Sequence, residues 1–153
     1  METNLNIIKG NIAIDDRGSV KYVNDFDFKN VKRFYQIQNH RQGYIRAWHG
    51  HLKEGKYVYV IKGTALIGAV YFSMSYSDEL AQNVQSQTDP KKFVLSSDSP
   101  SILYIPPGYA NGFKTLTDNC IIQFFSTSTL EESKNDDIRF PWDKWNIWTE
   151  DFR

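Results

Sequence analysis

The sequence predicts an all-β fold in one domain. Three observations carry this: many short stretches rich in β-branched and aromatic residues, close spacing between them, and Gly- or Pro-marked turns at their ends. No long window repeats apolar residues at helical spacing. A chain of 153 residues has the size of a single domain, taken here as residues 1–153.

The elements follow in order. Asn11 to Ile14 leads into the turn cluster Asp15-Asp16-Arg17-Gly18, and Ser19 to Val23 then alternates apolar and polar residues. Val31 to Ile37 and Tyr44 to Trp48 read as strands. Tyr57 to Ile61 and Ala65 to Phe72 are the clearest, being β-branched and aromatic, with Gly63 between them as a hairpin turn. Phe93 to Leu95, Ile102 to Ile105 and Cys120 to Phe125 complete the set. Ser77 to Gln87, polar and ending at Asp89-Pro90, is the best candidate for a short helix or loop inserted between strands. From Glu131 to Arg153 the pattern changes. Trp142, Trp145 and Trp148 are too apolar to lie free, and they are expected to pack across the outside of the barrel or against a partner chain.

Composition excludes several function classes. Hydrophobic residues make up 41% of the chain and aromatics 15%, enough for a real core, so wholesale disorder is ruled out. Lys plus Arg number 18 and Asp plus Glu number 18, and this balance argues against a general nucleic-acid binder. Cys120 is the single cysteine, so neither an internal disulfide nor a thiolate metal cluster can form. Its run, Cys120-Ile121-Ile122, reads as a buried core thiol. Met1 to Gly10 lacks the charged-then-apolar pattern of a secretory leader. No stretch reaches the roughly 18 apolar residues of a membrane span. A soluble cytoplasmic protein without membrane or nucleic-acid partners is the expectation.

Chemistry concentrates in Gly43-Tyr44-Ile45-Arg46-Ala47-Trp48-His49-Gly50-His51. On a strand, residues two apart face the same side, so His49 and His51 should point together, toward the interior if the strand lines a barrel. Arg46, three before His49, should face the opposite side unless a bulge intervenes. Gly, five residues and His-x-His resemble the opening of the first cupin motif, which continues with a Glu and, six residues on, a Gly. Counting back from Gly63 places Lys56 where that Glu would stand. Pro106-Pro107-Gly108-Tyr109-Ala110-Asn111 is similar to the second cupin motif, with Asn111 in place of its His. The resemblance implies a cupin jelly-roll β-barrel.

Both departures bear on chemistry. An ammonium beside a divalent cation is repulsive, and an amide is a poor ligand for transition metals, so a metal-free site with no cofactor is expected. A metal-dependent cupin is the competing reading. Without a metal, a histidine can take a proton from carbon next to a carbonyl at neutral pH. The enolate that results needs positive charge near its oxygen, which Lys56 can supply. Arg17 and Arg46 are of the type that clamps phosphate in two-pronged contacts.

Taken together, the segments from about Asp15 to Trp148 resemble the sugar-nucleotide cupins. These are the 3,5-epimerases of 4-keto-6-deoxyhexoses in dTDP-rhamnose synthesis and the related 3,4-ketoisomerases. The family's early Asp-x-Arg-Gly is similar to Asp16-Arg17-Gly18 with the acid taken as adjacent. The resemblance implies that Arg17 contacts the nucleotide diphosphate, often in a neighbouring subunit, within a homodimer. Arg46-Ala47-Trp48-His49 resembles the epimerase's Arg-Gly-x-His and implies that His49 is the base. Gly55-Lys56-Tyr57-Val58 and Ile105-Pro106-Pro107-Gly108-Tyr109-Ala110-Asn111-Gly112-Phe113 are similar to two further epimerase segments. His49-Gly50-His51 and Lys32-Arg33-Phe34-Tyr35 instead resemble the ketoisomerases. Phe124 falls where the epimerase carries its catalytic tyrosine, so the acid is sought at Tyr35 or His51. Asp136-Asp137-Ile138-Arg139-Phe140-Pro141 resembles a closing Asp-x-x-Arg-x-Pro of a third set of short family members. The implied activity is epimerisation at C3 or C5 of a nucleoside diphosphate 4-keto-6-deoxyhexose, with dTDP as the nucleotide. A 3,4-ketoisomerase and a non-catalytic sugar-nucleotide-binding cupin are the alternatives. The implied catalytic set is His49, His51, Lys56 and Tyr35. Arg17, Arg46, Asn39 and Asn111 form the implied substrate-binding set.

Overall fold

Strand alternation builds this protein directly. In the computed structural model, which describes residues 4–73, 89–150 and 153, two five-stranded antiparallel sheets face each other. The chain runs β1 (Asn6–Lys9), β2 (Asn11–Asp15), β3 (Gly18–Tyr22), β4 (Arg33–Gln38), β5 (Ile45–Gly50), β6 (Lys56–Lys62) and β7 (Thr64–Tyr71). It continues through β8 (Lys91–Ser96), β9 (Ser101–Ile105), β10 (Tyr109–Thr115), β11 (Ile121–Ser126), helix α1 (Leu130–Lys134) and β12 (Ile138–Arg139). One sheet has the order β1-β9-β6-β11-β4 and the other β12-β5-β10-β7-β8, while β2 and β3 form a separate hairpin. The strand pairs are antiparallel, as the expected jelly-roll barrel requires. The expected insertion at Ser77 to Gln87 lies outside the described residues.

The shared core comes from alternate residues of both sheets. Val58, Val60, Leu103, Ile105, Ile122 and Phe124 of the first sheet meet Ala65, Ile67, Ala69, Leu95 and Phe113 of the second, and Cys120 is buried among them as expected. Gly63 turns β6 into β7 at φ +82°, a conformation that suits glycine. The sequence reading placed no strand over Tyr109 to Thr115, yet β10 is central to its sheet, between β5 and β7.

The tryptophan-rich tail lies on its own barrel. Trp48, on the outer face of β5, packs against Trp145 and Trp148 with ring centroids 5.5 and 5.1 Å away. Both Trp48 and Trp148 donate their indole N–H to the carbonyl of Trp142, each at 3.1 Å. Gly68 of β7 admits this layer: a Cβ there would come within 2.6 Å of both Trp48 and Ile147. Trp142 itself is exposed. Among the described residues, no helix is long and apolar enough to cross a membrane.

Candidate functional site at the barrel mouth

Six strands and one loop bring the site together. His49 on β5 is paired with Asn111 on β10 and, on its other side, with Arg139 on β12. Residues directly opposite in an antiparallel pair share a face, and Asn111 lies on the face that Phe113 presents to the core. His49 and Arg139 therefore line the barrel side of the second sheet. His51 follows just past the end of β5 and is buried. From the first sheet, Lys56 of β6 is paired with Ser126 of β11, which is paired in turn with Arg33 of β4. Tyr35 is two residues along β4 on the same face.

A buried carboxylate that the sequence reading did not select sits among these groups. Glu54, in the β5–β6 loop, is 2% exposed. It accepts hydrogen bonds from Ser126 Oγ, from Ser133 Oγ at 2.8 Å and from Arg33 Nη2 at 3.1 Å. Its Oε2 lies 3.1 Å from His51 Nδ1. Ser133 arrives on α1, whose start is fixed by reciprocal bonds between Thr129 and Glu132. Asp136 holds the same loop from the other side, accepting the backbone N–H of Leu52, Lys53 and Glu54 at 2.8, 2.9 and 3.0 Å.

Burial and charge set the protonation states. His49 is pushed down to about 4 by burial, then by Arg139 and Lys56, with Asp137 opposing. Burial and Lys56 also lower His51, while Glu54 and Asp136 push it back up. Lys56 is lowered by burial, with Glu54 opposing. Tyr35 is raised by burial and by Glu54, so its phenol keeps its proton and has it to donate. The site therefore joins two imidazoles held below their ordinary range, a lysine whose charged form burial disfavours and a protonated phenol, set in opposing walls.

Several expectations change. Arg46 does not face away from His49. The pairing of β10 with β5 shifts between Asn111 and Phe113, so Phe113 pairs with Arg46 and the bulge returns Arg46 to the barrel side. Its Nε donates to Asn39 Oδ1 at 2.8 Å, which ties β5 to the end of β4, and Asn39 Nδ2 reaches the Tyr44 carbonyl at 3.3 Å. Asn111 spends its amide N–H on the His49 carbonyl at 3.2 Å. The acid belonging to Arg17 is Asp15, not its neighbour Asp16: Nη2 to Oδ2 is 2.6 Å. Arg17 is 85% exposed in its side chain, in the β2–β3 turn, where its guanidinium pairs with Asp15. Arg139 of the closing Asp-x-x-Arg-x-Pro segment joins the site, its Nε donating to Asp137 Oδ1 at 2.8 Å. A strong acid-and-base network of this kind announces itself in sequence only when its members share a motif, which Glu54, Ser126 and Ser133 do not. Among the described residues, no cluster of three or more His, Cys, Asp or Glu has the arrangement of a metal site.

Known proteins share this architecture. The structure is similar to dTDP-4-dehydrorhamnose 3,5-epimerase from Bacillus anthracis, solved with TDP and PPi bound, at TM-score 0.74 and 20% identity, covering 96% of this chain and 87% of that one. It is similar to the 3,4-ketoisomerase QdtA from Thermoanaerobacterium thermosaccharolyticum, solved with TDP, at TM-score 0.65 and 21% identity, covering 95% and 93%. In sequence it is 26% identical over 145 residues to the spore coat polysaccharide biosynthesis protein SpsL of Bacillus subtilis (strain 168), covering 91% of each. The family model for dTDP-4-dehydrorhamnose 3,5-epimerase matches residues 3–150, and the protein belongs to that family of dTDP-sugar isomerases.

Proposed function

We propose that this chain is an epimerase acting at C3 or C5 of a nucleoside diphosphate 4-keto-6-deoxyhexose, with dTDP as the nucleotide, in surface polysaccharide synthesis. The observation that carries the reading is the meeting of neutral His49 and His51, Lys56 and protonated Tyr35 at one end of the barrel in a member of this family. The chemistry follows from the groups. His49 takes the proton from carbon next to the ketone. The electron pair of that C–H bond becomes the enolate, and Lys56 stabilises the charge on its oxygen. Tyr35, on the opposite sheet, returns a proton from the other side, which inverts the carbon.

One observation favours a second reading. His51 is the imidazole with a buried carboxylate beside it. A return of the proton from His51, on the same wall as His49, would place it on the former carbonyl carbon and move the ketone, as in a 3,4-ketoisomerase. Incubation with dTDP-4-keto-6-deoxyglucose in D2O, followed by NMR, decides between them. Deuterium at C3 or C5 with the C4 ketone intact is the expected result. A ketone at C3 establishes the ketoisomerase, and tight dTDP binding without exchange leaves a binding protein.

The proposal includes a homodimer in which Arg17 reaches the partner's site. The support is exposure. The β2–β3 hairpin presents Ile14 at 78% and Val20 at 63%, and the outer face of the first sheet presents Phe34 at 68%. A lone hairpin with both faces in water is marginally stable at best, which a second copy would correct.

A further inference from the structure

We infer that Glu54 is a positioning residue that holds His51 in the tautomer with its proton on Nδ1, which makes Nε2 the proton-accepting atom. The inference rests on the isomerase reading for its catalytic consequence, but not for the tautomer. Nδ1 of His51 is fully buried. It lies 3.1 Å from Glu54 Oε2 and 3.8 Å from Asp136 Oδ2, and the backbone of Asp136 also bears on it. These neighbours are acceptors, so a lone pair on Nδ1 would face oxygen while a proton there is attracted by all of them. The approach of Glu54 is off the line of a formed hydrogen bond, so charge rather than one linear bond selects the tautomer.

Glu54 can do this because it cannot move. Ser126, Ser133 and Arg33 fix its two oxygens from β11, α1 and β4. One anchored carboxylate thus serves an imidazole whose Nε2 carries the free lone pair. In ketone migration through His51, Nε2 receives the proton taken from carbon and returns it to the former carbonyl carbon, and between the two transfers His51 is an imidazolium. Glu54 and Asp136 stabilise that positive charge, whereas Lys56 disfavours it. Charge near the ring comes from Lys56 on β6, Arg33 on β4, His49 on β5, Glu54 in the loop, and Asp136 and Asp137 before β12.

The test begins with the unmodified protein. Nitrogen-15 NMR of the histidine rings, without substrate, should show His51 neutral at pH 7 with the proton on Nδ1. A proton on Nε2, or a mixture of tautomers as in free imidazole, overturns the inference even if the protein proves to be an active isomerase. Glu54→Gln keeps the shape and removes the charge. In it the Nδ1–H signal should give way to a mixture. The acid limb of kcat/KM for turnover should move to lower pH, because a raising influence on His51 is gone, and kcat should fall about 10- to 100-fold with KM little changed. An unshifted limb with an unchanged tautomer also overturns it. If the wild type exchanges no proton from the keto sugar, the isomerase reading fails, and the tautomer measurement still decides the role of Glu54.

Discussion

Tyr35 and Phe124 lie face to face, paired across β4 and β11, with ring centroids 5.1 Å apart and planes 8° from parallel. Arg33 covers the Tyr35 ring at 4.9 Å. The phenol thus stands directly beside the position where the family resemblance places a catalytic tyrosine. A donor lost at Phe124 has a neighbour able to replace it on the same wall.

Tyr35→Phe removes only the hydroxyl and keeps the stack. The variant should fold normally, bind dTDP as before, and lose about 100-fold or more in kcat for inversion. Solvent exchange at the carbon alpha to the ketone should survive, since His49 is untouched. Near-normal inversion in this variant would remove Tyr35 as the acid and shift the balance toward ketone migration through His51.

The pH dependence of stability follows from His49. Its ring is held down to about 4 in the native state by burial, Arg139 and Lys56, whereas an unfolded histidine titrates near 6.5. Between those values the unfolded chain binds the extra proton, so stability rises with pH across the window. The contribution is complete above about 6.5 and is lost as pH falls toward 4. His51, also lowered, adds in the same direction. Urea midpoints at pH 7 and pH 5 should differ less in His49→Asn than in the wild type. An identical difference in the two proteins would mean that the ring titrates normally.

Asp136 closes the β5–β6 loop with three backbone N–H groups on one carboxylate. Asp136→Ala should cost about 2–3 kcal/mol by urea denaturation, as charged hydrogen bonds to partly buried donors are lost. The loop carries His51 and Glu54, so activity should fall further than stability predicts. A loss under about 0.5 kcal/mol would show that water replaces the carboxylate without penalty.

Much of this was legible in sequence, for identifiable reasons. β6 and β7 declare themselves because β-branched and aromatic runs meet at a glycine that must turn. The histidine pair is legible because a period of two is a local property. β10 was not, because Asn111, Gly112 and Lys114 are poor strand formers; Gly112 is there because Ala47 of β5 comes so close that a Cβ would sit 2.5 Å from its methyl. Glu54 reads as a solvated turn residue in Lys53-Glu54-Gly55, and Arg33 with serines 72 and 79 positions away makes it a buried carboxylate. The side taken by Arg46 depended on a bulge that the pattern of residues does not reveal.

The tail is part of the domain's packing. Trp148 is buried at 3%, and its indole shares the Trp142 carbonyl with Trp48. Trp148→Ala should destabilise by about 3–5 kcal/mol, in line with other large buried aromatics. If its role were instead to cover a partner chain, the same variant would dissociate an assembly while leaving the unfolding midpoint of the monomer unchanged, and size-exclusion chromatography with thermal melts tells these apart.

The last prediction concerns Arg17, whose guanidinium is exposed and, among the described residues, tied to Asp15 within its own turn. If it serves the partner's site, each site takes His49 from one subunit and Arg17 from the other. Arg17→Ala should then weaken dTDP binding, and His49→Ala should abolish exchange, each in a pure preparation. Mixing the two after brief unfolding and refolding gives heterodimers in half the population. In each heterodimer one site has both defects and the other has neither. The mixture should therefore recover about a quarter of wild-type activity at limiting substrate, the statistical share for a two-fold dimer. If Arg17 acts within its own chain, every site in the mixture carries one defect and no activity returns. A mixture as inactive as its components, with heterodimers demonstrated by native mass spectrometry, would end the claim that the hairpin crosses to its neighbour.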